Sequence, residues 1–327
     1  MKISVVMCTY NGAQFLEQQL DSLRMQTLAL HEVIICDDGS NDGTANLVRS
    51  YMERYSLENW HFYENAQNKG YRRNFHDAAA MATGDWVAFC DQDDIWHADK
   101  LERLKKVAEQ NPEARLVAAS FDIIDAKGTP IPHEAPRGQS NHGMIHRELA
   151  PGAVYRFSRN AKNTAMLLSG NIALGCTMMV HRDILRDYVQ YSRMELPHDW
   201  EAVLWAFLKD GLFFLNAPVI DYRLHGKNTI GLPIGAEATR KATPSLAGRL
   251  DVMDHYDESI RNVNYLIQKI GCTELDEAYQ AYGKLRREML EKRSLVCWIK
   301  LHRYYRIYAN MFTLRQRLGD LWVTLRK

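Results

Sequence analysis

Polar and acidic side chains follow three apolar runs in the first part of the sequence. These runs end in Cys8-Thr9-Tyr10-Asn11-Gly12, Asp37-Asp38-Gly39-Ser40 and Asp91-Gln92-Asp93-Asp94. If the three segments meet, their carboxylates come together, and like charges repel unless a cation lies among them. Oxygen ligands suit Mg²⁺ or Mn²⁺, and such ions usually bridge to a substrate phosphate. The residue types therefore indicate metal-assisted chemistry on a phosphate-bearing ligand.

The pattern of strands and helices predicts that the three segments do meet. Apolar runs over 2–8, 32–36, 86–90 and 116–124 are predicted strands, with helical spacing of apolar residues between them. This order implies an α/β fold with a mainly parallel sheet and helices on both faces. Ligands bind beyond the carboxyl ends of such strands. A further strand is expected over 173–180, a helix around 198–209, and a final strand pair, LFFL and VIDYR, after it.

Each acidic cluster also has a simpler interpretation. The sequence DDGS is a common turn and helix N-cap, and Asp91-Gln92-Asp93 taken alone could be a solvated turn. The joint occurrence of the clusters, each after an apolar strand and in this order, favours one shared site over separate turns.

Four segments together resemble the family 2 glycosyltransferases of the GT-A fold: CTYNG, VIICDDGSNDGT, NKGYRRNF with the ATGD that follows it, and FCDQDD. The resemblance covers roughly residues 1–230. The segments DQDDIW and YRLHGKNTIG are similar to the bacterial surface-polysaccharide branch, which includes rhamnosyl-, glucosyl- and galactosyltransferases. The resemblance implies a Rossmann-like GT-A domain that takes a sugar from a nucleotide sugar.

The resemblance also implies which residues bind the donor. Tyr10 and Asp38 would hold the nucleobase, through ring stacking and a carboxylate facing a base N–H. Asp37 would support that loop. Asp91-Gln92-Asp93 corresponds to the DXD motif, with Asp91 near the ribose and Asp93 on Mn²⁺ or Mg²⁺. Either Arg72 or Arg73 would meet the base or a phosphate, as guanidinium groups do. The implied nucleotide-sugar contacts are Thr9, Tyr10, Asn11, Asp37, Asp38, Arg72, Arg73, Asp91 and Gln92.

The segment His198-Asp199-Trp200 lies where this family keeps its catalytic carboxylate, usually as Glu-Asp. A carboxylate at the start of a helix is otherwise an ordinary N-cap. The resemblance implies that Asp199 takes the proton of the acceptor hydroxyl, and that attack opposite the leaving group inverts the anomeric carbon. Histidine in place of the usual glutamate puts the supporting role of that glutamate in doubt.

The resemblance implies a second metal ligand, His225, which follows the last strand. A lone histidine is also commonly structural, so both interpretations stand. Gly175 lies in an apolar run, where it could let a sugar approach the backbone or could simply pack. The remaining candidate contacts to acceptor or sugar are Asp94, Trp96, Gly175, Cys176, His198 and Trp200.

Charge is distributed unevenly along the chain. The 41 basic and 40 acidic residues nearly cancel, which argues against a nucleic-acid partner. Residues 286–327, however, carry 11 basic and 3 acidic side chains, a net charge of +8. Within 294–327 an apolar stripe at helical spacing accompanies three cations. This pattern is typical of a helix packed on protein, of a helix on an anionic membrane surface, or of a homodimer contact. The stripe is Trp298, Leu301, Tyr305, Tyr308 and Phe312, and the cations are Lys300, Arg303 and Arg306.

These observations predict a GT-A catalytic domain over 1–230, a linker over 231–244 and a helical region over 245–327. We expect an inverting, metal-dependent transferase that moves a hexose or deoxyhexose from a dTDP- or UDP-linked donor. The expected acceptor is a lipid-linked glycan of O-antigen or capsule type at the inner face of the cytoplasmic membrane. Six cysteines without a CxxC pair favour a cytoplasmic location.

Two alternatives remain at this point. A sugar nucleotidylyltransferase is also α/β and metal-dependent, but it needs a Gly-rich basic loop after its first strand, and CTYNGAQ is not such a loop. A non-catalytic glycan- or nucleotide-binding protein could keep the same fold. Asp93 and Asp199 argue against that second alternative.

Overall fold

The computed structural model describes residues 1–135, 138–145, 147–226, 228, 245–269, 273–304 and 314–325. The predicted linker at 231–244 lies outside these ranges. The chain divides into two compact units. The first contains Met1–Ser158 and Asn171–Gly231, and the second contains Arg159–Gly170 and Leu232–Lys327. The short segment 159–170, which the prediction included in the catalytic domain, therefore groups with the C-terminal helices.

The first unit is built on one mixed sheet, confirming the predicted mainly parallel α/β architecture. The strand order is β3-β2-β1-β4-β8-β6-β9-β5, with β7 paired to β9. Strands β1 to β4 run parallel to one another, whereas β8 runs antiparallel to both of its neighbours, β4 and β6. The strands are β1 (Ile3–Thr9), β2 (Glu32–Asp37), β3 (Trp60–Glu64), β4 (Trp86–Cys90), β5 (Ile95–Trp96), β6 (Leu116–Ile124), β7 (Val154–Arg156), β8 (Met178–His181) and β9 (Leu212–Arg223).

Helices connect these strands along the chain and cover the sheet. Helix α1 starts directly after the first polar cluster, and α4 starts shortly after the third. Their apolar positions face inward at the spacing expected of amphipathic helices. The helices of the first unit are α1 (Ala13–Arg24), α2 (Thr44–Arg54), α3 (Tyr71–Met81), α4 (Lys100–Gln110), α6 (Arg182–Tyr191) and α7 (His198–Leu208). Helix α5 (Ala161–Ser169) belongs to the second unit.

Strands β1, β2 and β4 are buried along their whole length. Continuous apolar runs of this kind are typical of parallel strands covered on both faces. The register pairs Thr9 with Asp37 and Met7 with Cys90. The three polar clusters therefore leave the sheet side by side at its carboxyl edge.

Two strand predictions differ from the structure. The run 173–180 is a strand only from Met178, because Gly175–Thr177 form a 3₁₀ turn that precedes β8. The predicted pair LFFL and VIDYR is one strand, β9, whose pairing with β6 is irregular near Ser120. Pro218 lies at that irregularity, where a residue without a backbone N–H is tolerated.

The second unit is helical, with α8 (Leu246–Lys269), α9 (Thr273–Glu291), α10 (Leu295–Leu301) and α11 (Leu314–Leu325) besides α5. Its core contains Leu301, and Trp298 packs against that core. The face of α10 that carries Val296 and Ile299 is exposed. The predicted stripe thus begins as a protein-packed face, and its members Tyr305, Tyr308 and Phe312 lie outside the described residues.

A buried ion cluster joins three helices of this unit. Asp320 of α11 accepts hydrogen bonds from Arg286 of α9 at 2.9 and 3.1 Å and pairs with Arg249 of α8. Asp320 and Arg286 are both buried. None of the helices in the described ranges is both long enough and apolar enough to cross a lipid bilayer.

Candidate active site

The loop after β1 is bound to the two neighbouring strand ends. The Thr9 hydroxyl donates to Asp37 Oδ1 at 2.7 Å, and the backbone N–H of Asp38 donates to the Thr9 carbonyl at 2.8 Å. Gln92 bridges from the third cluster, because its Oε1 accepts from Tyr10 N and its Nε2 donates to Tyr10 O. A Cβ atom at Gly12 would lie 2.2 Å from Gln92 Oε1, so a side chain there would displace Gln92 from its hydrogen bonds to Tyr10.

The two carboxylates of the second cluster are buried and differ in their partners. Asp37 accepts from the Thr9 hydroxyl and from both the hydroxyl and the backbone N–H of Ser40. Asp38 accepts from Asn65 Nδ2 at 3.0 Å and from the backbone N–H groups of Lys69 and Gly70 at 2.9 Å. Both side chains therefore fix the loops around an exposed Tyr10 ring.

The two candidate arginines lie at the start of α3 with different partners. Arg72 donates to the carbonyl of Met194 at 3.2 Å. Arg73 forms an ion pair with Asp77 one helical turn later, at 2.8 Å. Asn11 accepts a hydrogen bond from the backbone N–H of Asn41, which places it between the first two clusters.

The third cluster brings Asp93 and His225 together. The Nε2 atom of His225 lies 2.7 Å from Asp93 Oδ2, and both side chains are largely buried. A carboxylate oxygen and an imidazole nitrogen this close together can both ligate one divalent ion, and carboxylate oxygens suit Mn²⁺ or Mg²⁺. The two residues predicted as metal ligands are thus adjacent, although 132 positions separate them in the chain.

Asp91 and Asp94 form a second group with Cys176. Their ligand atoms and the Cys176 Sγ all lie within 4.8 Å of one another. Asp94 is buried, and its Oδ1 accepts from the backbone N–H of Arg223 at 3.0 Å. Burial, followed by the charges of Asp93 and Asp91, raises the pKa of Asp94 above its usual range. Desolvation and the charges of Asp93 and Asp199 likewise raise the pKa of Asp91.

Asp199 lies at the start of α7 and accepts hydrogen bonds from two backbone N–H groups. Trp200 donates to its Oδ1 at 2.7 Å, and Gly175 donates to its Oδ2 at 3.1 Å. Burial raises the pKa of Asp199 from 3.8 to about 6, against the opposing effect of these hydrogen bonds. The carboxylate is therefore a stronger base than an exposed aspartate and is still ionised near neutral pH.

His198 packs into the protein interior beside Asp199. Its ring stacks on Phe75 with 3.9 Å between centroids, and neither ring nitrogen has a hydrogen-bond partner among the described residues. Burial lowers the pKa of His198 to about 3, so the ring is neutral. A Cβ atom at Gly175 would lie 2.6 Å from His198 Nε2. Gly175 therefore lets the 3₁₀ turn approach α7 closely.

The other candidate contacts are also in the interior. Trp96 is buried beneath the ammonium group of Lys100, which lies 3.0 Å from the ring centroid. Cys176 and Trp200 are buried too. Their contacts with acceptor or sugar stay predictions.

Two basic residues of the site escaped the sequence analysis. Arg223 is buried, donates to the Asp93 carbonyl at 2.8 Å and to Gln18 at 2.7 Å, and so fixes the loop of the third cluster. Lys100 is fully buried, and its Nζ donates to the Cys176 carbonyl at 2.5 Å. A signal for Lys100 was available, since it occupies the same helical face as Leu104 and Val107.

The comparisons with known proteins agree with this geometry. The model of the family "Glycosyl transferase family 2" matches residues 4–189. The glucosyltransferase WfgD of Escherichia coli is 26% identical over 211 residues, covering 64% of this chain and 70% of WfgD. Its full name is UDP-Glc:alpha-D-GlcNAc-diphosphoundecaprenol beta-1,3-glucosyltransferase. The uncharacterized glycosyltransferase alr2836 of Nostoc sp. is 33% identical over 138 residues.

The match to alr2836 covers 42% of each protein, so the likeness there spans less than half of either chain. Among solved structures, Staphylococcus aureus TarS 1-349 in complex with UDP-GlcNAc has a TM-score of 0.52 at 18% identity. That comparison covers 80% of this chain and 67% of the TarS chain, and it agrees with the GT-A fold.

Asp199 gives a pH-dependent stability prediction. Below its ordinary pKa of 3.8 the carboxyl is protonated in both states, and above about 6 it is ionised in both. Between these values folding favours the protonated form, so wild-type stability falls as pH rises, by roughly 3 kcal/mol in all. Asp199→Asn removes this loss. We therefore expect the difference in free energy of unfolding, variant minus wild type, to increase between pH 4 and pH 7.5, as measured by urea denaturation.

Asp254→Asn is the matched control, because Asp254 is an exposed carboxylate of α8. Its pH profile should follow the wild-type profile. Parallel profiles for Asp199→Asn and wild type would show that the Asp199 carboxyl is not desolvated.

Proposed function

Because the chain belongs to glycosyltransferase family 2, we propose that it transfers a hexose or deoxyhexose from a nucleotide sugar to a glycan acceptor, with inversion at the anomeric carbon. One observation carries the proposal: the buried Asp199 carboxylate accepts a hydrogen bond from the N–H of Gly175, and the next residue, Cys176, lies in the same group as Asp91 and Asp94. A general base and the donor-binding motif therefore share one edge of the sheet.

In the proposed reaction, Asp199 accepts the proton of the acceptor hydroxyl as its oxygen attacks the anomeric carbon. The bond from that carbon to the diphosphate oxygen breaks, and the nucleoside diphosphate leaves on the opposite face. The backbone N–H groups of Gly175 and Trp200 orient the carboxylate. A base whose pKa is near 6 is effective near neutral pH, since it is ionised and still binds a proton well.

Asp93 and His225, whose side chains lie in direct contact at 2.7 Å, are the residues that would hold Mn²⁺ or Mg²⁺ in place of the hydrogen bond between them. When bound, such an ion supplies positive charge to the departing diphosphate. The chain itself holds the loop in place: Arg223 binds the Asp93 carbonyl, and Gln92 ties the loop to Tyr10.

The donor and acceptor are proposed from the relatives and from the charge distribution. WfgD acts, by its name, on UDP-Glc and a diphosphoundecaprenol-linked sugar, and we propose the same classes here, with dTDP-linked deoxyhexoses such as rhamnose as the other donor class. A polyprenyl diphosphate acceptor is membrane-bound. The proposal therefore places the reaction in surface-polysaccharide synthesis at the cytoplasmic face of the membrane.

The reaction is tested by separating donor binding from turnover. Asp199→Asn keeps the shape of the side chain and removes the base, so we expect UDP or dTDP affinity within about threefold of wild type and turnover lowered by about 10²–10⁴. Release of nucleoside diphosphate from UDP-glucose and dTDP-rhamnose measures turnover, and calorimetry measures nucleotide binding. Wild-type nucleotide binding without any release would instead indicate the non-catalytic binding protein.

Metal use gives a second test. Asp93→Asn and His225→Ala should each raise the Mn²⁺ concentration needed for half-maximal nucleotide binding by about tenfold or more, because each variant loses one of the two proposed ligands. Titration of Mn²⁺ at fixed UDP measures this effect. Glu102→Gln, an exposed change on α4, is the control. Full activity in a chelator would exclude the ion from the mechanism.

We also propose that the second unit meets an anionic membrane surface. The face of α10 with Val296 and Ile299 is exposed, at 60% and 64%, and Lys300 and Arg303 are exposed near it. Apolar side chains flanked by cations suit an anionic lipid surface. Each cation near such a surface contributes about 1 kcal/mol.

Point variants test this surface better than truncation, because Leu301 belongs to the core of the unit. Val296→Ser with Ile299→Ser should reduce co-sedimentation with phosphatidylglycerol vesicles by about tenfold or more, through lost apolar contact. Met25→Ser is the matched control, since Met25 is 59% exposed in the first unit. Salt should weaken wild-type binding. Failure of wild type to bind these vesicles at low salt would contradict the membrane proposal.

A further inference from the structure

Lys100 is a charged side chain in the interior of the first unit. It begins α4, where the other inward positions are apolar. Its Nζ donates to the Cys176 carbonyl at 2.5 Å and lies 3.0 Å from the centroid of the Trp96 ring. Burial of an ammonium group is costly unless other groups compensate for lost water. A side chain kept there at such a cost calls for a role that an apolar residue would not fill.

The surroundings of Lys100 are acidic. Asp91, Asp94 and the Cys176 thiol are grouped as if to bind a cation. Among the described residues, no carboxylate lies within ion-pair distance of the Lys100 Nζ, yet its charge acts on Asp91 and lowers the pKa of that carboxyl. Burial lowers the pKa of Lys100 to about 7, although the neighbouring Cys90, Cys176 and carboxyl groups oppose this shift. The hydrogen bond to the Cys176 carbonyl is the direct contact that fixes the side chain.

A short chain of contacts leads from Lys100 to Asp199. Lys100 holds the carbonyl of Cys176, the middle residue of the 3₁₀ turn Gly175–Thr177. The first residue of that turn, Gly175, donates its N–H to Asp199 Oδ2. The same turn packs closely against His198, because a Cβ atom added at Gly175 would lie 2.6 Å from the His198 Nε2. A displacement of the turn would therefore move a hydrogen-bond donor away from the Asp199 carboxylate.

We propose that Lys100 is a positioning residue of the transfer reaction: it anchors the Gly175–Thr177 turn that orients Asp199. The inference rests on the proposed function, in which Asp199 is the base.

The test compares Lys100→Met with Lys106→Met, an exposed lysine on the same helix. Loss of the anchor should misplace the base without removing the donor site. We expect kcat for nucleoside diphosphate release to fall about 10²-fold, the effect of a misplacement of about 1 Å. The KM for UDP-glucose or dTDP-rhamnose should stay within about threefold, because uniform binding is not lost. Lys106→Met should match wild type in both.

A second measurement does not depend on turnover. Unfolding free energies of wild type, Lys100→Met, Asp199→Asn and the double variant form a cycle, and non-additive values support the link between the two residues. Additive values, or a folded Lys100→Met variant with kcat close to wild type, would overturn the inference. Absence of nucleotide release from wild type would contradict the proposed function, while the cycle would still decide the link to Asp199.

Lys100→Met leaves buried carboxylates without their counter-charge, which can prevent folding. In that event the same comparison is made in an Asp94→Asn background, where one negative charge is absent. A lower kcat for the double variant than for Asp94→Asn alone supports the anchoring role. Equal kcat values would show that Lys100 only balances the charge of Asp94, and would overturn it.

Discussion

The structure of the first unit depends on how it keeps several carboxylates close together at one buried edge. Each carboxylate is compensated differently. Asp38 and Asp199 accept hydrogen bonds from backbone N–H groups, and Asp37 accepts them from hydroxyl groups. Asp93 is hydrogen-bonded to His225. Because burial penalises the charged form of an acid, a group without such partners would become protonated or unfold its surroundings. The loops at this edge are therefore held by the same hydrogen bonds that compensate for the burial of their carboxylates.

The sheet topology explains why these groups meet. Parallel strands β1, β2 and β4 deliver their following residues to one edge, which brings the first three clusters together. Strand β8 runs antiparallel to β4, pairing Ala88 with Met179. Its first residue, rather than its last, therefore lies at that edge. The turn Gly175–Thr177, which comes just before β8, reaches the loop of Asp91 and Asp94 for this reason, and it carries the N–H that binds Asp199.

Much of this arrangement was predictable from the sequence. The buried strands and the polar clusters that follow them have strong local signals, and the neighbouring strand ends then follow from parallel topology. The pairing of Asp93 with His225 was implied by the family resemblance alone, since no local pattern connects residues so distant in the chain. The turn at Gly175 was mistaken for strand because its residues are apolar, and an apolar run does not distinguish a buried turn from a buried strand.

Buried basic residues were harder to predict, for a physical reason. Lysine and arginine are nearly always exposed unless they are paired, so the sequence alone favours a solvent position for Lys100 and Arg223. The partners that make burial possible, the Cys176 and Asp93 carbonyls, are backbone groups with no signature in the residue types. The inward spacing of Lys100 on α4 was the sole local signal. It indicates a buried lysine only once the structure shows Cys176, Asp91 and Asp94 grouped together.

The second unit uses a buried charge for a different purpose. Asp320 can satisfy its hydrogen bonds to Arg286 and Arg249 only when α8, α9 and α11 have one particular rotation about their axes. An ion pair of this kind is weak evidence for stability, since apolar residues can replace it without loss. It does penalise other helix rotations, because those would leave a buried charge unpaired. Buried charge thus lies at the candidate site in the first unit, and it restricts helix packing in the second.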